Sequence, residues 1–135
     1  MNYEELNGVL INNFPELLRS EYGSNKEDYE LSGGAYMFST DLTNFLKDII
    51  TKRNKEEKDV LFIAKYFSLV RELMELSIND RHIFDLLMDS YFESWEIGDE
   101  ELNMVYASAF LGMKKEEIQN YGKDYYSNLY PDIKA

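Results

Sequence analysis

Hydrophobic positions recur at intervals of three and four residues along almost the whole chain, the spacing of helices that turn one face inward. The first such segment, Tyr3 to Asn13, carries Leu6, Val9 and Leu10 and runs on to Phe14. Pro15 suits a first helical turn and predicts a second short helix to about Tyr22, with Gly23 ending it. A stretch rich in turn residues follows, Ser24 to Thr40, with Gly33-Gly34 at its centre. It reads as a loop in which Ala35-Tyr36-Met37-Phe38 forms a short extended piece. Ser39, Thr40 or Asp41 then caps a helix that turns Leu42, Phe45, Leu46, Ile49 and Ile50 inward and Thr43, Lys47, Asp48 and Thr51 outward.

A charged connection, residues 52–59, leads into a long helix from about Glu57 to Ser77. Val60, Ile63, Tyr66, Phe67, Val70, Leu73 and Met74 share its apolar arc, opposite Lys65, Ser68, Arg71, Glu72 and Glu75. Asn79 or Asp80 caps the next helix, Arg81 to Trp95. Gly98 breaks the chain, Asp99 caps a helix through Phe110, Gly112 stops it, and a last helix spans about Lys114 to Leu129 ahead of Pro131. Strand signals are nearly absent. The pattern predicts an all-α single domain over residues 1–135, a bundle or short array of about six helices.

The chain of 135 residues is 44% hydrophobic, which suits one domain with a real core and is too apolar for disorder. With no cysteine, a disulfide framework, a thiolate zinc site and a cysteine nucleophile are all excluded. No secretory signal and no membrane-length apolar run is legible, so the expectation is a cytoplasmic protein with no membrane partner. The formal net charge of −12 adds more. So acidic a chain is repelled by phosphate backbones, which argues against nucleic-acid binding and favours basic protein partners.

That charge is unevenly placed. The 32 residues between Arg81 and Lys114 hold no lysine or arginine and seven carboxylates: Asp85, Asp89, Glu93, Glu96, Asp99, Glu100 and Glu101. The first four, spaced by four, four and three, form one stripe on a helix. Ile83, Leu86, Leu87, Tyr91 and Trp95 take the rest of its surface. Like charges four apart cost a few tenths of a kcal/mol per pair, a cost without return unless the stripe meets a cation. The seven acids are therefore the candidate partner-binding residues, with Trp95 or Tyr91 as an aromatic anchor; the alternative is a merely solvated face. Eleven tyrosines add to the aromatic content, four of them at Tyr121, Tyr125, Tyr126 and Tyr130. Ile118, Tyr121, Tyr125 and Leu129 follow helical spacing and should pack inward.

Catalytic signatures are missing. The one histidine, His82, stands near Asp85 and Asp89, but zinc chemistry asks for more imidazole or thiolate than this chain has. Asp99-Glu100-Glu101 lacks the alternation of a calcium loop, and Gly33-Gly34 has no phosphate-binding lysine after it. No enzyme, no cofactor and no metal is expected.

Several pieces together resemble a group of uncharacterised small bacterial all-helical proteins and the immunity proteins of bacterial toxin systems, contact-dependent inhibition among them. They are Phe14-Pro15-Glu16-Leu17, Tyr36-Met37-Phe38-Ser39 with Asp41-Leu42 and Phe45-Leu46, Leu73-Met74-Glu75 before Ser77-x-Asn79-Asp80, and Leu86-Leu87 leading to Phe92-Glu93. The resemblance covers about Leu10 to Leu111. It implies a cytoplasmic inhibitor that binds a cognate toxin domain and occludes its working surface. The competing expectations are a helical adaptor that takes its partner in an apolar groove, and a carboxylate-and-metal enzyme.

Overall fold

The computed structural model describes residues 2–96 and 100–121. Every regular element among them is helical: α1 (Tyr3–Asn13), α2 (Pro15–Leu18), α3 (Lys26–Tyr29), α4 (Gly34–Thr51), α5 (Glu57–Leu76), α6 (Arg81–Leu86) and α7 (Glu100–Leu111). Between α6 and α7 the chain stays helical as a π-helical stretch, Leu87–Phe92, and a 3-10 turn, Glu93–Glu96. Residues 115–121 are helical as well. The all-α expectation holds.

The two longest helices, α4 and α5, pack on each other, and the rest wrap them. α1, α2 and α3 cover α4, the π-helical stretch lies against both long helices, and α7 packs on α5. One contiguous core results, from Leu6 and Leu10 through Phe38, Leu42, Leu46, Ile63, Phe67 and Val70 to Trp95 and Ala107. Burial of such side chains contributes roughly 1.5–3 kcal/mol each against conformational entropy of similar total size.

Local signals explain most of the boundaries. The Asn2 side chain accepts from the Glu5 N–H and opens α1. Before α5, Glu56 and Asp59 form a reciprocal capping box, and Asp59 also receives Lys52 Nζ at 3.2 Å. Gly112, at φ 66°, ends α7 in the left-handed conformation that glycine adopts without steric cost. Asp80 caps α6 by accepting from the N–H groups of His82 and Ile83, while its second oxygen accepts from the Tyr3 N–H at 3.1 Å. One carboxylate thus ties the starts of α1 and α6 together.

Several expectations differ from the structure. Ala35 to Phe38 is the first turn of α4, not an extended piece, and Ser39, Thr40 and Asp41 lie inside that helix rather than capping it. The start is set from outside the helix. Gly33 turns at φ 79°, and Gly34 lies so close to the Tyr29 carbonyl that a Cβ there would stand 1.7 Å from its oxygen. Asp41 instead accepts the buried Tyr29 hydroxyl at 2.8 Å. Likewise the second helix stops at Leu18 and α3 interrupts the expected loop. Finally Thr43 is buried although its position read as outward, and Val60 is exposed although it read as inward.

The helix expected over Arg81 to Trp95, which carries the acidic stripe, is α-helical only to Leu86. Phe92 follows Asp85 by seven residues, so an unbroken α-helix holds the two within about 20° of each other around its axis. A carboxylate that reaches solvent at Asp85 and a buried Phe92 then compete for one face. The π-helical stretch resolves the conflict: the Glu93 N–H bonds back to the Met88 carbonyl, five residues earlier, and this wider turn rotates Phe92 into the core. There it stacks on Trp95, with ring centroids 4.8 Å apart, and meets Tyr121 at 5.1 Å.

Candidate functional site

A chain of buried hydroxyls fixes the π-helical stretch. Trp95 Nε1–H donates to the Tyr66 hydroxyl at 3.0 Å. Tyr66 Oη and Thr43 Oγ1 are 2.8 Å apart, and Thr43 donates to the Ser90 carbonyl at 3.3 Å. One proton assignment satisfies all four groups: Trp95 to Tyr66, Tyr66 to Thr43, Thr43 to Ser90. The chain links α4, α5, the π-helical stretch and the 3-10 turn. Beside it the Tyr91 hydroxyl donates to Ser39 Oγ at 2.9 Å. Burial pushes both tyrosine hydroxyls far above their ordinary pKa, so they stay protonated as donors.

This arrangement overturns one part of the sequence-based site. Trp95 and Tyr91 are fully buried core side chains and offer no surface anchor to a partner. Their polar atoms point to Tyr66 and Ser39, which consume them inside the fold.

The acids stand outside that core. Asp85 is half-buried, and Asp89 and Glu93 are exposed. Asp89 has its pKa raised by partial burial first and then by the negative charges of Glu93 and Asp85, which brings the three carboxylates into one field. Among the described residues no ion pair involves any of them. Asp99 lies outside the described residues, as do the side chains of Glu96, Glu100 and Glu101. Gly98, Tyr125, Tyr126, Leu129, Tyr130 and Pro131 lie outside them too. Ile118 is buried and Tyr121 packs on Phe92, as their spacing predicts.

An aromatic group does border the acids, and it comes from a different helix. Tyr36, in the first turn of α4, is half-buried. Burial, with the charges of Asp89 and Asp85 after it, pushes its hydroxyl pKa up to about 12. Its ring is 6.4 Å from that of Tyr3, which in turn lies 5.4 Å from the exposed His82 ring. Tyr3 is held there by its N–H bond to Asp80. The face therefore combines three carboxylates with Tyr36, Tyr3 and His82. Sequence spacing does not reveal Tyr36, because the segment 35–38 reads as extended and nothing local marks it as a neighbour of Asp89.

Chemically the face is suited to receive cations. Its carboxylates accept hydrogen bonds, and the tyrosine ring can underlie a guanidinium or ammonium group. Among the described residues no three metal-ligating side chains come together. No helix among them is long and apolar enough to cross a membrane. No known protein family matches the chain, and no characterised protein and no solved structure does so either.

Proposed function

We propose that the protein is an immunity-type inhibitor, acting in the cytoplasm, that neutralises a cognate bacterial toxin domain by binding its basic surface. The observation that supports this reading is the face built from Asp85, Asp89 and Glu93, where partial burial first, and then the charges of Glu93 and Asp85, raise the Asp89 pKa; a bound cation would offset that repulsion. A nuclease-type toxin must be basic to hold its substrate, and a row of carboxylates can stand where phosphates would lie. Tyr36 replaces Trp95 and Tyr91 as the aromatic member of the interface, since a half-buried ring loses little freedom on binding.

The test is capture of the partner on the immobilised full chain at low salt, elution in a salt gradient, and kinetics with the Asp89→Lys/Glu93→Lys variant. A basic partner whose association slows by about tenfold or more in the variant, with a flatter salt dependence, supports the reading. Unchanged affinity and salt slope in the variant overturns this interface. A partner held independently of salt replaces the inhibitor reading with that of an adaptor using apolar surface.

A further inference from the structure

Far along α4 from the acidic face lies a different kind of site. Tyr36 and Lys52 are sixteen residues apart, a rise of about 24 Å along the helix axis. Here α2, the end of α4 and the start of α5 surround a hollow of about 350 Å³. Its apolar lining is Phe45, Ile49 and Phe62, with the Phe45 and Phe62 rings edge to face at 5.1 Å. Three cations, Arg19, Lys52 and Lys58, and three carboxylates, Glu16, Asp48 and Asp59, complete it.

The carboxylates are already engaged within the fold. Glu16 holds Lys65 Nζ at 2.9 and 3.0 Å. Asp59 is buried and accepts from Lys52 and from the Glu56 N–H. Asp48 lies against the Tyr22 hydroxyl. Of the cations, Lys52 is spent on Asp59 and Lys58 pairs with Glu56 at 3.2 Å. Arg19 is exposed at the rim and forms no ion pair among the described residues.

We propose that this hollow binds a small monocarboxylate with an apolar body, the body on Phe45, Ile49 and Phe62 and the carboxylate on the Arg19 guanidinium. The planar guanidinium matches a carboxylate with two parallel hydrogen bonds. A single charge is preferred because the lining charges cancel: a dianionic phosphate meets Glu16, Asp48 and Asp59 as much as it meets the cations. The volume lies at the small end of ligand sites, which suits a ring and a short chain rather than a nucleotide. The proposal is independent of the inhibitor reading, since it shares no residue with the acidic face.

The test is a titration of the ¹⁵N-labelled full chain with 4-phenylbutyrate, followed by amide NMR, beside 4-phenylbutan-1-ol and inorganic phosphate as comparators. The expected result is saturable shifts confined to amides around Arg19, Ile49 and Phe62. Arg19→Glu should weaken binding by about tenfold, Arg19→Lys by less, and the alcohol and phosphate should each bind about tenfold more weakly than the acid. Arg19 is exposed, so the variant should keep a dispersed spectrum; Arg19→Gln serves the same purpose if Arg19→Glu does not. Shifts that fail to saturate, that scatter over the surface, that persist in the Arg19 variant, or that the alcohol or phosphate matches would each overturn the proposal.

Discussion

Replacing Thr43 by valine tests the buried hydroxyl chain with almost no change of shape. Both side chains are β-branched and sit comfortably in the same helical rotamer, so α4 itself is little disturbed. The variant removes the donor to the Ser90 carbonyl and the acceptor for the Tyr66 hydroxyl, both buried. A buried polar group left without its partner costs about 1–3 kcal/mol, and here two groups share the loss. Some relaxation of the π-helical stretch will recover part of it, so the expected destabilisation is about 2–3 kcal/mol. The assay is urea denaturation followed by the emission of Trp95, the only tryptophan, which is fully buried when folded. The midpoint should fall with the slope unchanged. Tyr66→Phe should cost a similar amount, for it strands Trp95 Nε1–H and takes away the donor to Thr43 Oγ1. The double variant should cost clearly less than the sum, because residues in one network couple by roughly 0.5–3 kcal/mol. A loss below about 0.5 kcal/mol for Thr43→Val, or additive effects in the double variant, would refute the chain as a structural element, since those magnitudes fit an uncoupled surface change.

Three further outcomes follow from single positions. Gly34→Ala should destabilise strongly, by about 1–3 kcal/mol, because its Cβ meets the Tyr29 backbone, whereas Gly8→Ala, in open space within α1, should stabilise by about 0.5–1 kcal/mol; thermal melts of the two variants separate the cases. Asp89→Asn should raise stability at neutral pH. The Asp89 pKa is raised in the folded state by burial and by Glu93 and Asp85, so its ionised form carries a penalty that fades as pH falls through the raised value and is gone below the ordinary 3.8; a pH series of melts should show the two proteins converging there. Asp59→Asn should behave in the opposite sense. The Glu56 N–H first, and Lys52 after it, lower the Asp59 pKa, so its stabilisation, about 1 kcal/mol for a helix cap, is present above the ordinary carboxylate value and vanishes as pH drops through the lowered one.

Much of the fold is legible along the chain because the cues are local. Asp80 caps α6 through atoms two and three residues away, and Gly112 terminates α7 by its own conformation. The inward faces of α4 and α5 follow from spacing at Leu42, Leu46, Ile63 and Leu73. The start of α4 was not legible, because no side chain caps it. What begins the helix is the close approach of Gly34 to Tyr29, a contact between two elements. For the candidate site, the row Asp85, Asp89 and Glu93 was visible as a pattern, but its aromatic neighbour was not. Tyr36 stands more than fifty residues before Asp89, and its place beside that residue depends on how α4 packs along the π-helical stretch.

By itself, then, the sequence determined helical periodicity, the cap at Asp80, and a lysine- and arginine-free stretch holding seven acids, since each is a matter of residue type and short-range spacing. Only the tertiary structure decided the wider turn at Leu87–Phe92 and the burial of Thr43, Tyr91 and Trp95. A periodic pattern fixes which residues share a face, but not which faces find a neighbour. Thr43 is polar and reads as wet, yet Tyr66 and Ser90 meet its hydroxyl inside the core and satisfy it there. An unbroken α-helix would align Phe92 with the acids, yet an apolar ring and a row of charges cannot share one face, and one wider turn of backbone separates them.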